Sequence, residues 1–138
     1  MSKSADESLE ALFAAAKAAR QGAYAPYSRF SVGAAIRAPS GAIYCGCNVE
    51  NAAYPQGSCA EAGAIAAMAL AGERKIVEIV VVGDGEDLCT PCGGCRQRIR
   101  EFADAATRVH VAGPEGVRAS FGLEELLPHS FGPGHLGR

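Results

Sequence analysis

Apolar side chains recur along the chain with two periods, and each change of period marks the edge of an element. Leu9, Leu12, Phe13 and Ala16 repeat at helical spacing between a Ser4–Glu7 capping box and Gly22, which predicts a first helix. Phe30, Val32, Ala34 and Ile36 then alternate, Pro39-Ser40-Gly41 interrupts, and Ile43, Cys45, Cys47 and Val49 alternate again. This is the signature of a β-hairpin with one buried face, on which Cys45 and Cys47 sit as small apolar residues. Ser58 opens an Ala-rich helix that runs to Gly72, and the β-branched stretch Ile76 to Val82 reads as a strand covered on both faces. Pro91 starts a third helix that continues through Phe102. Thr107 to Ala112 and Val117 to Phe121 are two further strands, and Leu123 to Leu127 is a short helix stopped by Pro128.

The strand–helix–strand passage in the middle of this order implies a parallel pair with a right-handed crossover. The expected fold is α/β, a three-layer α-β-α sandwich around a five-stranded mixed sheet. A length of 138 residues suits one domain, 1–138, with 132–138 as a flexible tail. Hydrophobic residues make up 49% and charged residues 20%, which excludes global disorder. Lysine and arginine total 13 against 15 acidic residues, a net charge of -2, so the chain advertises no cationic path for a phosphate polymer and nucleic acid is not expected as a partner. No apolar run approaches the roughly 20 residues that span a bilayer, and the first ten residues offer no apolar signal core, so the expected location is the cytoplasm, away from membranes. Six cysteines in such a chain stay reduced and become candidate metal ligands, reactive thiols or core residues.

Cys92-Gly93-Gly94-Cys95 opens the third predicted helix, and two thiols at that spacing suit one soft metal ion while helix-terminal amides favour their thiolate forms. By itself the pair fits a structural zinc clip, half of an iron–sulfur site or a redox dithiol. Cys89 extends it toward a ferredoxin-like run, but Ile99 stands where that pattern needs its fourth cysteine. Cys59-Ala60-Glu61 begins the second helix and places another thiol at a helix start. The bland reading of these three residues is a buried cysteine and a first-turn carboxylate. If the two helix starts converge, Cys59, Cys92 and Cys95 make a three-thiolate site with one open position, the arrangement of a catalytic rather than a structural zinc. Glu61 would then face that position as a proton carrier.

Five segments in order resemble the small homotetrameric cytidine deaminases: Phe30-Ser31-Val32-Gly33-Ala34-Ala35, Asn48-Val49-Glu50-Asn51, Cys59-Ala60-Glu61, Pro91-Cys92-Gly93-Gly94-Cys95-Arg96-Gln97 and Glu125-Leu126-Leu127-Pro128-His129-Ser130-Phe131. The resemblance implies one zinc per subunit on Cys59, Cys92 and Cys95, with Glu61 shuttling protons in the hydrolysis of cytidine and deoxycytidine for pyrimidine salvage. It also implies that Asn48 and Glu50 read the ribose hydroxyls, Phe30 stacks on the pyrimidine and the Ala60 backbone reads the base amide edge. Tyr54 and Phe131 resemble residues that neighbouring subunits bring to or beside the site, so that a homotetramer completes it. From the residues alone, Asn48 to Asn51 would be a solvated turn and Phe131 ordinary core.

One position departs from the family pattern. The residue after the catalytic glutamate is commonly an arginine that bonds the ligand thiolates, and here it is Ala62. The missing charge is expected from the two helix starts and from Arg96, with Arg98 and Arg100 on a solvated helix face. Cys89 is expected to stay free, and His110, His129 and His135 have no partner at ligand spacing. Two other readings remain: a blasticidin-type deaminase, which shares the core and lacks that arginine, and a noncatalytic zinc-stabilised binding module in which Glu61 is only a helix-start charge.

Overall fold

The computed structural model describes residues 5–138, so Ser4 of the expected capping box lies outside the described residues. Helix α1 (Ala5–Arg20) is followed by strands β1 (Gly33–Arg37) and β2 (Ile43–Cys47), which pair antiparallel with Gly33 opposite Cys47 and Arg37 opposite Ile43. Helix α2 (Ala60–Leu70) leads to β3 (Glu78–Val82), helix α3 (Gly93–Phe102) to β4 (Arg108–Gly113), and β5 (Gly116–Gly122) to the short α4 (Leu123–Leu126). The five strands form one mixed sheet in the order β2-β1-β3-β4-β5, in which β3 and β4 are the parallel pair. The expected α/β architecture is thus present. The strands that precede α2 and α3 are not neighbours, because β1 lies between β2 and β3 and α2 must cross over it. Residues 133–136, within the expected tail, form a 3₁₀ turn.

Alternation along the strands divides the core into two layers. Ala34, Ile36, Ile79, Val81 and Val109 pack with Ala64, Met68 and Ile99 beneath α2 and α3. Ala35, Val80, Val82 and Ala112 pack with Leu12 and Ala16 of α1 on the other face. Full burial of an aliphatic side chain contributes roughly 1.5–3 kcal/mol, so these layers hold the sheet between its helices. Cys45 and Cys47 lie on the α1 side, where the Cys45 Sγ stands 3.9 Å from the Ala15 carbonyl oxygen. The expected burial fails for Cys45, which is exposed, because β2 is an edge strand with little above this face.

Two glycines let the helices lie on the sheet without intervening side chains. A Cβ at Gly33 would overlap the Ala16 carbonyl and the Arg20 amide of α1. On the opposite face, a Cβ at Gly46 would overlap the Ala60 carbonyl and the Ala64 amide and stand 2.8 Å from the carbonyl carbon of Gly63. The first turn of α2 therefore rests directly on β2, which only glycine permits. Gly46→Ala is expected to force α2 outward and cost about 1–3 kcal/mol, as overpacking of a tight contact does. Urea unfolding measures this, and parental stability would show that the contact does not fix the helix.

Candidate metal centre and catalytic pocket

Cys59 and Cys92 occupy equivalent places, each the residue just before its helix, in extended backbone conformation with φ/ψ of -80°/157° and -66°/168°. Both helices therefore begin two residues later than Ser58 and Pro91 suggest, and a cysteine stands where Ser, Thr, Asp or Asn usually caps. The amides of the following turn have no carbonyl of their own helix to bond, which makes each helix start electropositive beside a sulfur. Cys95 lies buried in the first turn of α3. The three sulfurs come within 4.8 Å of one another. Sulfurs around one tetrahedral zinc are about 3.8 Å apart, given Zn–S bonds near 2.3 Å, so this donor set fits that ion with little adjustment.

The electrostatics of the cluster point the same way. Burial holds the Cys95 thiol far above its ordinary pKa, and the negative fields of Glu61 and Cys59 push it further. Burial likewise raises Cys59, while the Cys95 and Gly94 amides facing its sulfur draw Cys92 down. Glu61 is only 5% exposed, and that burial lifts its carboxyl above the usual carboxylate range against the pull of the Arg98 charge. Four acidic groups crowded together, with Cys95 and Glu61 buried and Cys92 exposed, disfavour one another's ionisation, and a divalent cation reverses that logic. Cys89 lines the same cavity but is not one of the three clustered thiols.

That cavity encloses about 360 Å³. Cys59, Cys92, Ala60 and Glu61 line one part of it, and Asn48, Glu50 and Tyr54 another. Asn48 and Glu50 also hold the preceding loop. Asn48 Oδ1 accepts from the Val32 amide at 2.9 Å and its Nδ2 donates to the Phe30 carbonyl at 2.8 Å. Glu50 accepts from the Tyr27 and Ser28 amides at 2.9 and 3.1 Å and from the Ser28 hydroxyl, which keeps its carboxylate below the usual range. Sequence reasoning did not see this clamping role, since nothing in the spacing joins residues some twenty positions apart. Phe30 is not among the lining residues, although a Cβ at Gly83 would stand 3.3 Å from its ring and 2.6 Å from the Cys89 Sγ. Phe131 lies elsewhere and stacks on His135 at 4.9 Å. A larger cavity of about 770 Å³, bounded by α3, α4 and residues 127–135, is lined by none of the cysteines.

The arginines of α3 differ from expectation. Arg96 does not reach sulfur: its Nε donates to the Pro91 carbonyl at 2.7 Å, Nη1 to the Leu126 carbonyl at 2.7 Å and Nη2 to the Thr90 hydroxyl at 3.3 Å. Its guanidinium ties the loop before Cys92 to the end of α4 instead. Arg98, expected on a solvated face, is exposed yet turns Nη1 toward the Cys95 Sγ at 3.6 Å. Its position one turn beyond Cys95 was the available signal. Arg100 is half-buried and donates to the Ser130 hydroxyl at 2.8 Å, while Gln97 donates to the Phe131 carbonyl at 2.8 Å, so both pin the C-terminal segment. His110 is buried between Ser120, 2.6 Å from Nδ1, and Glu78, 2.9 Å from Nε2.

Residues 6–112 match the zinc-binding region of cytidine and deoxycytidylate deaminases. The cytidine deaminase of Sporosarcina psychrophila is 42% identical over 123 residues, 89% of this chain and 90% of that protein. The Mycobacterium tuberculosis cytidine deaminase is 36% identical over 121 residues, 87% of this chain and 86% of that protein. The crystal structure of the Burkholderia pseudomallei cytidine deaminase superposes with a TM-score of 0.83 at 42% identity, covering 88% of this chain and 98% of that one. The family match spans β1 to β3, most of β4, both crossover helices and all three clustered cysteines, and the chain belongs to the cytidine and deoxycytidylate deaminase zinc-binding family.

Proposed function

We propose that the chain is a zinc-dependent cytidine deaminase, converting cytidine or deoxycytidine and water to the uracil nucleoside and ammonia. The observation that carries this reading is one cavity lined both by a buried carboxyl beside a cluster of thiols and by an amide–carboxylate pair suited to sugar hydroxyls. Zinc on Cys59, Cys92 and Cys95 would supply the Lewis acidity that makes water nucleophilic near neutral pH. Glu61 takes a proton from the attacking water and delivers it to ring N3 as oxygen adds at C4. With C4 tetrahedral, Glu61 takes the proton of the new C4 hydroxyl and passes it to the amino group, and the C4–N bond breaks as the C4 carbonyl forms and ammonia leaves. Its carboxyl lines the cavity and is only 5% exposed, so the protons it carries pass inside the cavity rather than through bulk water. The noncatalytic reading makes Glu61 only a helix-start charge, and that role gives no reason to bury a carboxyl to 5% exposure in the cavity wall.

The hydrogen-bond inventory supports Asn48 and Glu50 as ribose readers. Each Asn48 amide atom has one partner, leaving one N–H and one lone pair, and the Glu50 carboxylate has three of about four acceptor sites filled. What remains matches a hydroxyl, which can accept from Asn48 and donate to Glu50. The Ala60 amide, first in its helix and without a hydrogen-bond partner among the described residues, would read the base edge, and Phe30 is kept as the stacking residue. Tyr24, Tyr27, Phe30, Val49, Tyr54 and Phe131 are all large and more than a third exposed, an apolar surface that supports coverage by further chains in a homotetramer.

Conversion is followed by loss of the cytosine absorption band and release of ammonia. Glu61→Gln is expected to keep one zinc per chain and lose roughly 100- to 10,000-fold in kcat. Cys92→Ser is expected to lose the metal and Cys89→Ser to keep it. Retained turnover in Glu61→Gln would remove the residue from the mechanism. An analogue lacking both ribose hydroxyls should show kcat/KM lower by roughly 1,000-fold or more, since it leaves Asn48 and Glu50 unpaired. Equal rates on the two substrates would reject that pair. Light scattering at assay concentration is expected to give a tetramer, and a fully active monomer would refute the shared-site arrangement.

A further inference from the structure

Three thiolates around a divalent ion leave one net negative charge, here beside the carboxyl of Glu61 and in a cavity only partly open to water. Such a charge is held best where a cation stands close by. Position 62 ends in a methyl group, and each nitrogen of the Arg96 guanidinium donates to an oxygen, of Pro91, Leu126 or Thr90. Among the described residues, the one cationic side chain with a contact to a clustered sulfur is Arg98, with Nη1 3.6 Å from the Cys95 Sγ. Arg98 reaches that sulfur by lying along the helix surface over Gly94. A Cβ at Gly94 would stand 3.2 Å from Nη1, so the absence of a side chain there keeps the path open.

Building on the zinc reading above, we propose that Arg98 is a positioning residue that offsets the negative charge of the assembled metal–thiolate centre, acting from α3 where Ala62 leaves α2 unable to do so. The guanidinium suits the task, being permanently charged, planar and weakly hydrated, with several N–H groups to aim at sulfur. Because Arg98 is exposed, its field is open to screening by salt, which a buried arginine would largely escape.

The test compares the full-length parent with Arg98→Met and Arg98→Lys. Zinc is competed against a chromophoric chelator at low and at high salt, and the thermal midpoints of the metal-free proteins are recorded alongside. Loss of a partner to a metal ligand commonly costs tenfold or more in affinity. Arg98→Met is expected to bind zinc about tenfold more weakly at low salt, with the gap narrowing at high salt, and Arg98→Lys to recover most of the parental affinity. The metal-free midpoints should coincide. Equal zinc affinity in Arg98→Met and parent overturns the inference. So does a loss that Arg98→Lys shares in full, or one accompanied by a lower metal-free midpoint, since either marks a packing role. A parent that retains no zinc overturns the metal reading itself, and is told apart from failure of the Arg98 inference by the parental measurement alone.

Discussion

The position of the first turn of α2 on the edge strand governs everything else in this molecule. Gly46 and Gly63 bring the two backbones together with no side chain between them, and that contact places Cys59 and Glu61 above the end of β2. Asn48 and Glu50 leave the same strand end a few residues later, so both halves of the cavity are referred to one rigid junction. Catalytic geometry tolerates errors of only a fraction of an ångström, and two regular elements in backbone contact provide that precision better than loops would. The second helix start arrives independently, through the β3–α3–β4 crossover, and meets the first at the sulfurs.

Helix α3 supports the site from behind through polar side chains on its outward surface. Arg96 fixes the Thr90-Pro91 approach to Cys92, Gln97 and Arg100 hold the segment bearing Ser130 and Phe131, and Ile99 anchors the helix in the core. A run that looks like generic solvated charge is therefore divided among separate structural duties. Each contact ends on a backbone carbonyl, a hydroxyl or a sulfur rather than on a carboxylate, which explains why no ion-pair pattern betrays it in the sequence.

The sequence was legible where periodicity or motif chemistry dominates. The alternation of the hairpin, the β-branched run of β3 and the cysteine spacings are local, and local patterns led directly to the elements and to the cluster of Cys59, Cys92 and Cys95. The insertion of β1 between β2 and β3 was hidden, because strand order is a property of pairings between distant residues. Cys45 obeys its alternation but lacks cover, a matter of its strand lying at the edge of the sheet. The arginines were misassigned for a related reason: helical spacing says which face a long side chain leaves from, not which of several nearby acceptors it reaches.

The carboxylate of Glu50 already has three donors from Tyr27 and Ser28, and those bonds are what keep the loop toward Phe30 and Val32 in place. A ligand that engages Glu50 therefore enters an existing network. Binding strength and loop order are linked quantities: whatever loosens the Ser28 hydroxyl from the carboxylate frees acceptor capacity for the ligand while releasing the loop, and whatever tightens it does the reverse. Ser28, set apart from the sulfurs and from Glu61, thereby becomes a point from which affinity can be adjusted without touching the reacting groups.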